Sequence, residues 1–425
     1  MKRFILSGWL GLIVLGFLLA PVSAQYGDVT PSMYVLGNPT RAKFPDNTSC
    51  VYARNVWTIT PYGTKMYFGN GNSADVEPCG NAGTNHSGID VWSYDIPTGQ
   101  GYIFVNEKTL DEEGLDTYKW AGNGKLYIPG RDATESWQYG NFYSLEVGGW
   151  LKHRTIPGGI HEFDIATPGG LLYAAGSNMG DGPGGGSNGA QRSSLQVSYD
   201  QGTVWYDAVC DGVMCPTLNR MYKFFAYQGL NYVTQIYLEN TDPNHPGLHL
   251  HQNDIFKLVS GANWTKLSRT VGLAMFPGLY RPIMRKWSTF LAGNVYIANA
   301  ESDSAIGADP LLPPPGGQPF TDNPQNLVMY MTGTIGTNVQ TVAVPPRYPA
   351  IVRDIQVVNG KLFVLQSVDK GGGLFKNAVD FTSDGVNWNE LLYFYSGESS
   401  FVRSFAYNAG YWFFGMGCRP DILSN

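Results

Sequence analysis

Apolar and polar positions alternate along the chain in a hairpin pattern that recurs seven times. Each copy has an extended apolar stretch, a turn glycine and a short strand containing Tyr or Phe, as in Asn55 to Phe68 around Gly63. Alternation on both sides of a glycine is typical of antiparallel hairpins. The turn glycines of the seven copies are Gly63, Gly124, Gly170, Gly229, Gly293, Gly360 and Gly410.

A second hairpin lies between successive copies, and its turn carries a glycine followed closely by an aromatic residue. These turns are Gly99 to Tyr102, Gly149-Trp150, Gly202 to Trp205, Gly261 to Trp264 and Gly385 to Trp388, with Gly336 to Val339 in the fifth unit. Two hairpins per unit predict four strands, and radial repetition of four-stranded sheets protects sheet edges. The pattern predicts an all-β, seven-bladed β-propeller with antiparallel blades, whose units start near residues 54, 116, 160, 220, 283, 351 and 401.

The seventh unit contains only two strands before the sequence ends at Asn425. Residues 25–50 precede the first unit, and Ser32 to Leu36 within them reads as a strand. We therefore expect residues 25–50 to close the ring by pairing with the sheet formed by Ser400 to Gly415.

The first residues have the order of a secretory signal. Lys2 and Arg3 precede an apolar run from Phe4 to Ala20, which ends in the small residues Val22-Ser23-Ala24. This order predicts a signal peptide over residues 1–24, an exported protein in an extracellular or periplasmic compartment, and a single propeller domain over residues 25–425. An uncleaved membrane anchor is the alternative.

Composition supports strands and narrows the partners. The chain has 53 Gly, 26 Tyr, 21 Phe and 11 Trp but only 15% charged residues, which favours many short strands over helices. The net charge of −6 and the absence of a Lys/Arg-rich run argue against nucleic acid. We expect a monomer without a membrane span in its mature form, with a glycan, a small anion or a protein as partner.

Five cysteines follow the predicted signal, in a compartment that permits disulfides. Cys210 and Cys215 bracket four residues and form one predicted disulfide. Cys50 and Cys79 lie at one edge of the same hairpin and form the second. Cys418 remains as a free thiol, or pairs with Cys50 across the chain ends.

Residues 198–205 match the pattern S-x-D-x-G-x-x-W through Ser198, Asp200, Gly202 and Trp205, and a shorter form follows at Asp384, Gly385 and Trp388. These segments resemble the Asp-box, or bacterial neuraminidase repeat, of sialidase-like β-propellers. The resemblance implies a fold shared by sialidases, other glycosidases and non-enzymatic secreted proteins. The Asp would bond turn amides, Gly would supply a positive φ, and Trp would pack between sheets.

Basic residues recur near the start of the first strand of each unit. In a propeller these starts share one face with the loops between second and third strands. A ring of cations there would hold a carboxylate, sulfate or uronate. The alternative is that they form salt bridges between blades, with Asp164 and Asp354 as partners. The candidate ligand-binding residues are Arg54, His161, Arg220, Arg285, Arg353 and Arg403, with Asp132 and Glu162 as the nearest carboxyl groups.

The loops between second and third strands contain recurrent aspartates. Carboxylates there could coordinate Ca²⁺ or act as acid and base, although Asp among Gly and Asn more often bonds its own turn. His245, His249 and His251 are close enough to suggest Zn²⁺, against the alternative of an exposed polar loop. We expect no cofactor, with Ca²⁺ as the alternative. The loop aspartates are Asp75, Asp132, Asp181, Asp242, Asp303 and Asp369.

Two functions fit this pattern. The first is a secreted recognition or scaffold propeller that uses its loop-rich face. The alternative is a glycan-active hydrolase or lyase on the same face. We favour recognition, because no nucleophile, acid and base pair or metal set stands out in the sequence.

Overall fold

The computed structural model describes residues 26–44, 54–71, 88–96, 103–115, 117–178, 192–215, 220–240, 249–268, 271, 287–290, 294–298, 328–335, 340–344, 351–397 and 400–417. In these ranges nearly all regular structure is strand, and single 3-10 turns occur at Thr30–Ser32 and Pro168–Gly170. The strands form mainly antiparallel sheets. The prediction of an all-β protein is confirmed.

The first half of the chain builds three sheets. The chain opens with the short strand β1 (Gly27–Asp28). The first sheet has the order β2 (Thr58–Tyr62), β3 (Lys65–Gly69), β4 (Asp90–Asp95) and β5 (Phe104–Thr109). Next in sequence are β6 (Glu112–Gly114), β7 (Lys119–Trp120), β8 (Leu126–Pro129), β9 (Arg131–Ala133), β10 (Tyr139–Glu146) and β11 (Gly149–Pro157). The second sheet is β7-β8-β10-β11, whereas β6 and β9 extend the third. That sheet continues through β12 (Gly159–Ala166), β13 (Leu172–Asn178), β14 (Leu195–Ser198) and β15 (Tyr206–Asp207).

Four further sheets follow in chain order. The fourth contains β16 (Val209–Cys210), β17 (Val213–Met214), β18 (Arg220–Tyr227), β19 (Leu230–Asn240), β20 (His249–Ser260) and β21 (Asn263–Lys266). The fifth contains β22 (Trp287–Phe290), β23 (Asn294–Ala298), β24 (Val328–Thr332) and β25 (Gln340–Val344). The sixth contains β26 (Ile351–Val358), β27 (Lys361–Asp369), β28 (Phe375–Thr382) and β29 (Asn389–Ser396), and the seventh β30 (Phe401–Asn408) and β31 (Tyr411–Gly417).

The turn glycines lie where the hairpin pattern places them. All six described turn glycines have positive φ and separate consecutive paired strands: Gly63 (β2 and β3), Gly124 (β7 and β8), Gly170 (β12 and β13), Gly229 (β18 and β19), Gly360 (β26 and β27) and Gly410 (β30 and β31). Gly293 lies outside the described residues. A positive φ costs glycine little, and the hairpin positions of these six turns could therefore be read from the sequence.

Buried aromatic residues pack each sheet against the next. Trp150 meets Tyr67 and Tyr118 between the first and second sheets. Trp205 meets Phe142 between the second and third, and Trp264 meets Tyr173 and Phe224 between the third and fourth.

Contacts continue through the remaining sheets. The Tyr227 hydroxyl donates to the Gly333 carbonyl of the fifth sheet over 2.6 Å. Strand β22 contacts β26 of the sixth sheet. Phe363 packs on Trp412 of the seventh at 5.0 Å between ring centroids, and Phe413 packs on Tyr94 of the first at 6.2 Å. The Val56 amide also donates to the Met416 carbonyl over 3.0 Å. The seventh sheet therefore packs directly on the first.

In the described part of the N-terminal segment, residues 26–44, the pairing differs from the one predicted. Gly27 and Asp28 pair in parallel with Leu392 and Tyr393 of β29, at the edge of the sixth sheet, and do not pair with β30 or β31. Residues 33–38, which include most of the predicted strand Ser32 to Leu36, have no strand structure. The parallel register satisfies backbone groups on β29, because the Tyr26 and Val29 amides donate to the Leu391 and Tyr393 carbonyls.

The two turns singled out in the sequence have the local hydrogen bonds expected of them. Asp200 Oδ1 accepts from the amides of Thr203 and Val204 at 3.0 and 2.9 Å, and Gly202 has φ 100°. Asp384 Oδ1 accepts from Val386 and Asn387 in the same way. Trp205 is buried between sheets, whereas Trp388 is half-buried.

The disulfide between Cys210 and Cys215 is present and closes the hairpin β16–β17. Cys50, Cys79 and Cys418 lie outside the described residues, as do the predicted signal peptide and most of the long loops. No described helix is long and apolar enough to cross a membrane.

Candidate functional site

Four first strands carry a β-bulge at the same register position. The bulges fall between Glu162 and Asp164, Met221 and Phe224, Val352 and Asp354, and Val402 and Ser404. A bulge re-aims the extra side chain and is over-represented beside functional sites. We name the extra residue of each strand the bulge residue. The bulge residues are Phe163, Tyr222, Arg353 and Arg403.

Two of the bulge residues form an aromatic pair. The rings of Phe163 and Tyr222 stack with centroids 4.1 Å apart and planes 8° apart, and both residues are buried. His161 stacks on Phe163 at 5.7 Å, and the Arg131 guanidinium lies 5.6 Å from the same ring. Phe163 is thereby enclosed by Tyr222, His161 and Arg131, which gives this position an aromatic lining with one guanidinium group beside it.

The other two bulge residues bring two arginines to one aromatic cluster. The guanidinium of Arg353 lies 4.0 Å from the Phe401 ring, and that of Arg403 lies 4.9 Å from the same ring. Arg403 also lies 4.4 Å from Trp57, whose indole N–H donates to the Gly71 carbonyl. Both arginines are buried, so their positive charges are concentrated in a region of reduced dielectric.

Glu162 is a buried carboxylic acid at a position that is occupied by apolar residues in the equivalent strands. The register places Met221, Val352 and Val402 at the same position of β18, β26 and β30. Glu162 is 4% exposed, and no hydrogen-bond partner of its carboxyl group is found among the described residues. Burial and the nearby charge of Glu112 raise its pKa well above the usual range. Burial therefore favours the neutral, protonated form of this carboxyl group over the charged form.

Three glycines leave the space that the Glu162 carboxyl group occupies. A Cβ atom at Gly140 would lie 2.8 Å from Oε1, and one at Gly176 would lie 2.6 Å from Oε2. A Cβ at Gly159 would also collide with Oε1. These residues come from β10, β12 and β13, and only glycine fits at each of them with the carboxyl group in this place.

Glu112 is fixed beside this acid by polar groups of the second sheet. Its Oε1 accepts 2.6 Å from Asn141 Nδ2 and 3.2 Å from the Tyr143 hydroxyl. Burial and the Glu112 charge raise the pKa of Tyr143, so its hydroxyl stays protonated and donates. Two carboxyl groups in different environments are the usual basis for separate acid and base roles.

Asp164 and Asp354 join adjacent first strands through backbone amides. Asp164 Oδ2 accepts from the Phe224 amide at 2.9 Å, and Asp354 Oδ2 accepts from the Phe405 amide at 3.1 Å. Asp164 also pairs with Lys119 Nζ at 2.8 Å. The sequence had offered these aspartates as partners of arginines, and the structure gives them this contact with the next sheet.

The predicted cations do not occupy equivalent positions. His161 and Arg220 share one register position, opposite Ser177 and Ile236, whereas Arg353 and Arg403 lie two residues further along their strands. Arg54 precedes β2. Arg285 lies outside the described residues, and Asp132 lies in β9 with its side chain outside the description.

Sequence reasoning missed Phe163, Tyr222, Arg131, Phe401 and Glu112. Phe163 and Arg353 both precede Asp-Ile, seven residues before a turn glycine, and that shared dipeptide was the available signal. Glu112 and Arg131 had no such signal, because they reach the third sheet from β6 and β9.

Most residues of the predicted metal sites lie outside the described residues. In the described ranges no group of three or more His, Cys, Asp or Glu could hold a metal ion. His245 and the aspartates Asp75, Asp181, Asp242 and Asp303 lie outside those ranges, and for His249 and His251 only the strand backbone is described. Asp369 Oδ1 accepts from the Gly371 amide at 2.7 Å, which is the turn role weighed above.

No protein-family model matches the sequence, and no curated protein matches it. Among solved structures, the chain is similar to a polysaccharide lyase PL25, an ulvan lyase, at TM-score 0.44 and 14% identity over 82% of this chain and 84% of that chain. It is also similar to the Trypanosoma rangeli sialidase, at TM-score 0.37 and 10% identity over 77% and 54%. An α-L-arabinofuranosidase from Clostridium thermocellum gives TM-score 0.27 and 20% identity over 48% and 68%. Likeness at this level concerns the general fold and assigns no activity to this chain.

Proposed function

We propose that the protein is an exported, seven-bladed β-propeller with the unit boundaries predicted from the sequence. Two observations support it: the sheets follow one another in chain order, and the seventh packs on the first. In this proposal the ring closes through β30 and β2, with Ser404 Oγ donating to the Val56 carbonyl over 2.7 Å. The disulfide between Cys210 and Cys215 fits an oxidising compartment.

On this scaffold, we propose that the protein binds an acidic glycan at the first-strand starts. The single observation that carries the proposal is the identity of the bulge residues, which are two stacked aromatics and two arginines at one repeated position. In a closed ring these positions converge on one central face. The stacked pair would form an apolar wall of the site, and guanidinium groups would bind the carboxylate or sulfate of the sugar.

Glycan binding is tested with polygalacturonate, alginate, dextran sulfate and a neutral xylan. We expect the two polyuronates to bind and xylan not to bind. The double variant Arg353→Lys with Arg403→Lys keeps the charges but loses the planar fork, and we expect binding to weaken by about tenfold or more. Near-UV circular dichroism checks that the variant is folded.

A matched control removes a cation that lies over a ring elsewhere. Lys361 Nζ lies 4.7 Å from the Phe381 ring, next to the turn glycine of the sixth sheet. Lys361→Met should leave binding unchanged. Equal binding of wild type and the double lysine variant would show that the arginine cluster is structural only. Binding of dextran sulfate alone would show that the site binds polyanions nonspecifically.

A glycan-active hydrolase or lyase is the second candidate, favoured by the buried Glu162 carboxyl group, which three glycines surround and whose pKa burial and Glu112 raise. A protonated carboxylic acid of this kind can donate a proton to a leaving oxygen. The test follows new reducing ends, and the absorbance of an unsaturated uronate, on the same polysaccharides. Glu162→Gln should lower any turnover by about 100-fold or more, and surface Glu146→Gln should not change it. We expect no release from a chromogenic sialoside.

A further inference from the structure

An exposed aromatic loop lies beside the Glu162 carboxyl group. The segment between β9 and β10 presents Trp137, which is 48% exposed, and leads into Tyr139, which is 38% exposed. Leaving two large rings in water forgoes the favourable free energy of burying them. Exposed large apolar side chains close to one another can mark a binding surface.

This loop is fixed along its whole length. The Trp137 indole N–H donates 3.2 Å to the Ala133 carbonyl. Arg154 donates to the carbonyl and the hydroxyl of Ser136 at 2.8 Å each. The Gln138 carbonyl accepts from the Gly158 amide at 2.9 Å. A ring held in place before binding loses little conformational entropy when a ligand stacks on it.

An ion-pair network supports the base of the loop. Lys152 bridges Glu135 and Asp111, the latter at 2.6 Å, and Arg154 Nε lies 2.9 Å from Glu135. The Asp111 carbonyl also accepts from the Thr134 amide at 2.9 Å. These contacts tie the loop to β6 and β11, so Trp137 is carried on a rigid support.

The loop adjoins the candidate site at both ends. Before it, Arg131 of β9 pairs with His161 of β12, and the Glu162 amide donates to the Gly130 carbonyl over 2.6 Å. After it, Gly140 follows Tyr139 directly and is one of the glycines that face the Glu162 carboxyl group. The two ends of the loop that carries the exposed rings therefore lie next to the candidate site.

We propose that Trp137, assisted by Tyr139, is a sugar-stacking subsite that extends the candidate site outward. The ligand would then be an acidic oligosaccharide of three or more residues, with one residue at the bulge residues and another on Trp137. This inference rests on the proposed glycan function. The indole offers one apolar face to the C–H groups of a pyranose, a contact comparable with aromatic stacking.

Calorimetry with galacturonate, tetragalacturonate and the neutral cellotetraose tests the subsite. In Trp137→Ala we expect tetragalacturonate affinity to fall by about tenfold while galacturonate affinity is unchanged. Trp137→Phe keeps an aromatic face and should recover most of the affinity. Tyr411→Ala removes a ring that is 62% exposed in the turn of the seventh sheet, and should change nothing.

Failure of the subsite and failure of the proposed function give different results. If wild type and Trp137→Ala bind tetragalacturonate equally, the subsite is wrong and acidic-glycan binding stands. If cellotetraose binds through Trp137 and neither galacturonate ligand binds, Trp137 is a sugar-stacking residue but the acidic-glycan function is wrong. Absence of binding of all three probes to the wild type overturns both.

Discussion

The junction between the third and fourth sheets and the junction between the sixth and seventh use the same backbone contact. In each, an aspartate after the bulge accepts from its own following amide and from an amide of the next first strand. The amide of the following residue lies 3.0 Å from the aspartate Oδ1 at Ile165 and 2.8 Å from it at Ile355. The repeated bulge and aspartate therefore define a scaffold position that does not depend on the ligand chemistry.

The side chains around this shared contact differ. The third sheet has Glu162 and Phe163, whereas the sixth has Val352 and Arg353 at the same two positions. The contact with the next sheet is compatible with both sets, because in each case the aspartate accepts from a backbone amide of that sheet. Packing between sheets therefore fixes the position of the bulge, whereas the identity of the bulge residue determines which chemical groups are presented there.

Asp164→Ala should give the largest effect on this comparison. It removes the partner of Lys119 and the acceptor of two amides, and we expect the free energy of unfolding to fall by about 3–5 kcal/mol. Asp354→Ala should cost about 1–3 kcal/mol for each amide left without this acceptor. Urea denaturation measures both, with exposed Asp369→Ala as control. Equal losses at Asp164 and Asp369 would contradict the shared-contact account.

Gly176→Ala tests the space around Glu162, which the sixth junction does not require because Gln366 lies opposite Val352 there. The new Cβ would press on Glu162 Oε2 and on the His161 carbonyl, and we expect a loss of about 1–3 kcal/mol from overpacking. Gly148→Ala places a Cβ with no atom within 4 Å and is the matched control. A thermal or urea midpoint unchanged in both variants would show that the carboxyl group is free to move away.

The pH dependence of stability should distinguish the two junctions through Glu162. Its pKa is raised in the folded state, so the folded protein holds a proton that the unfolded chain releases above about pH 4.5. Stability should therefore be greatest below that pH and fall by about 1.4 kcal/mol per pH unit as the pH rises towards the folded pKa. Glu162→Met, which copies Met221, should remove this slope.

Urea titrations of wild type and Glu162→Met at several pH values measure the effect. If the variant is also more stable at neutral pH but loses glycan binding or turnover, the carboxyl group serves function at a cost in stability. Identical pH profiles would place the titration elsewhere.

The smallest effects should come from the matching turns of the same two sheets. Hydrogen bonds from Asn387 and Val386 lower the pKa of Asp384, and those from Val204, Ser198 and Thr203 lower that of Asp200. Their contribution is present at neutral pH and is lost as the pH falls through the lowered pKa. Asp384→Ala and Asp200→Ala should each lower the urea midpoint slightly at pH 7 and not at pH 1. A large loss at either turn would contradict their local role.

The sequence by itself determined the strand class, the hairpin phase and the disulfide between Cys210 and Cys215. These follow from local rules, because alternation, a glycine at a positive φ and a short closed loop depend on neighbouring residues. Glu162, Arg353 and Arg403 could be named from sequence, since they stand near the starts of first strands.

Only the tertiary structure decided which side chains meet. The alternation of facing along a strand fails at a bulge, where one extra residue changes it. The strand register also separates His161 and Arg220, which precede the bulge, from Arg353 and Arg403, which form it. The pairing of β1 with β29 and the arrival of Glu112 beside Glu162 depend on contacts between distant segments. Such contacts are selected by the packing of whole sheets, for which no short stretch of sequence carries a signal.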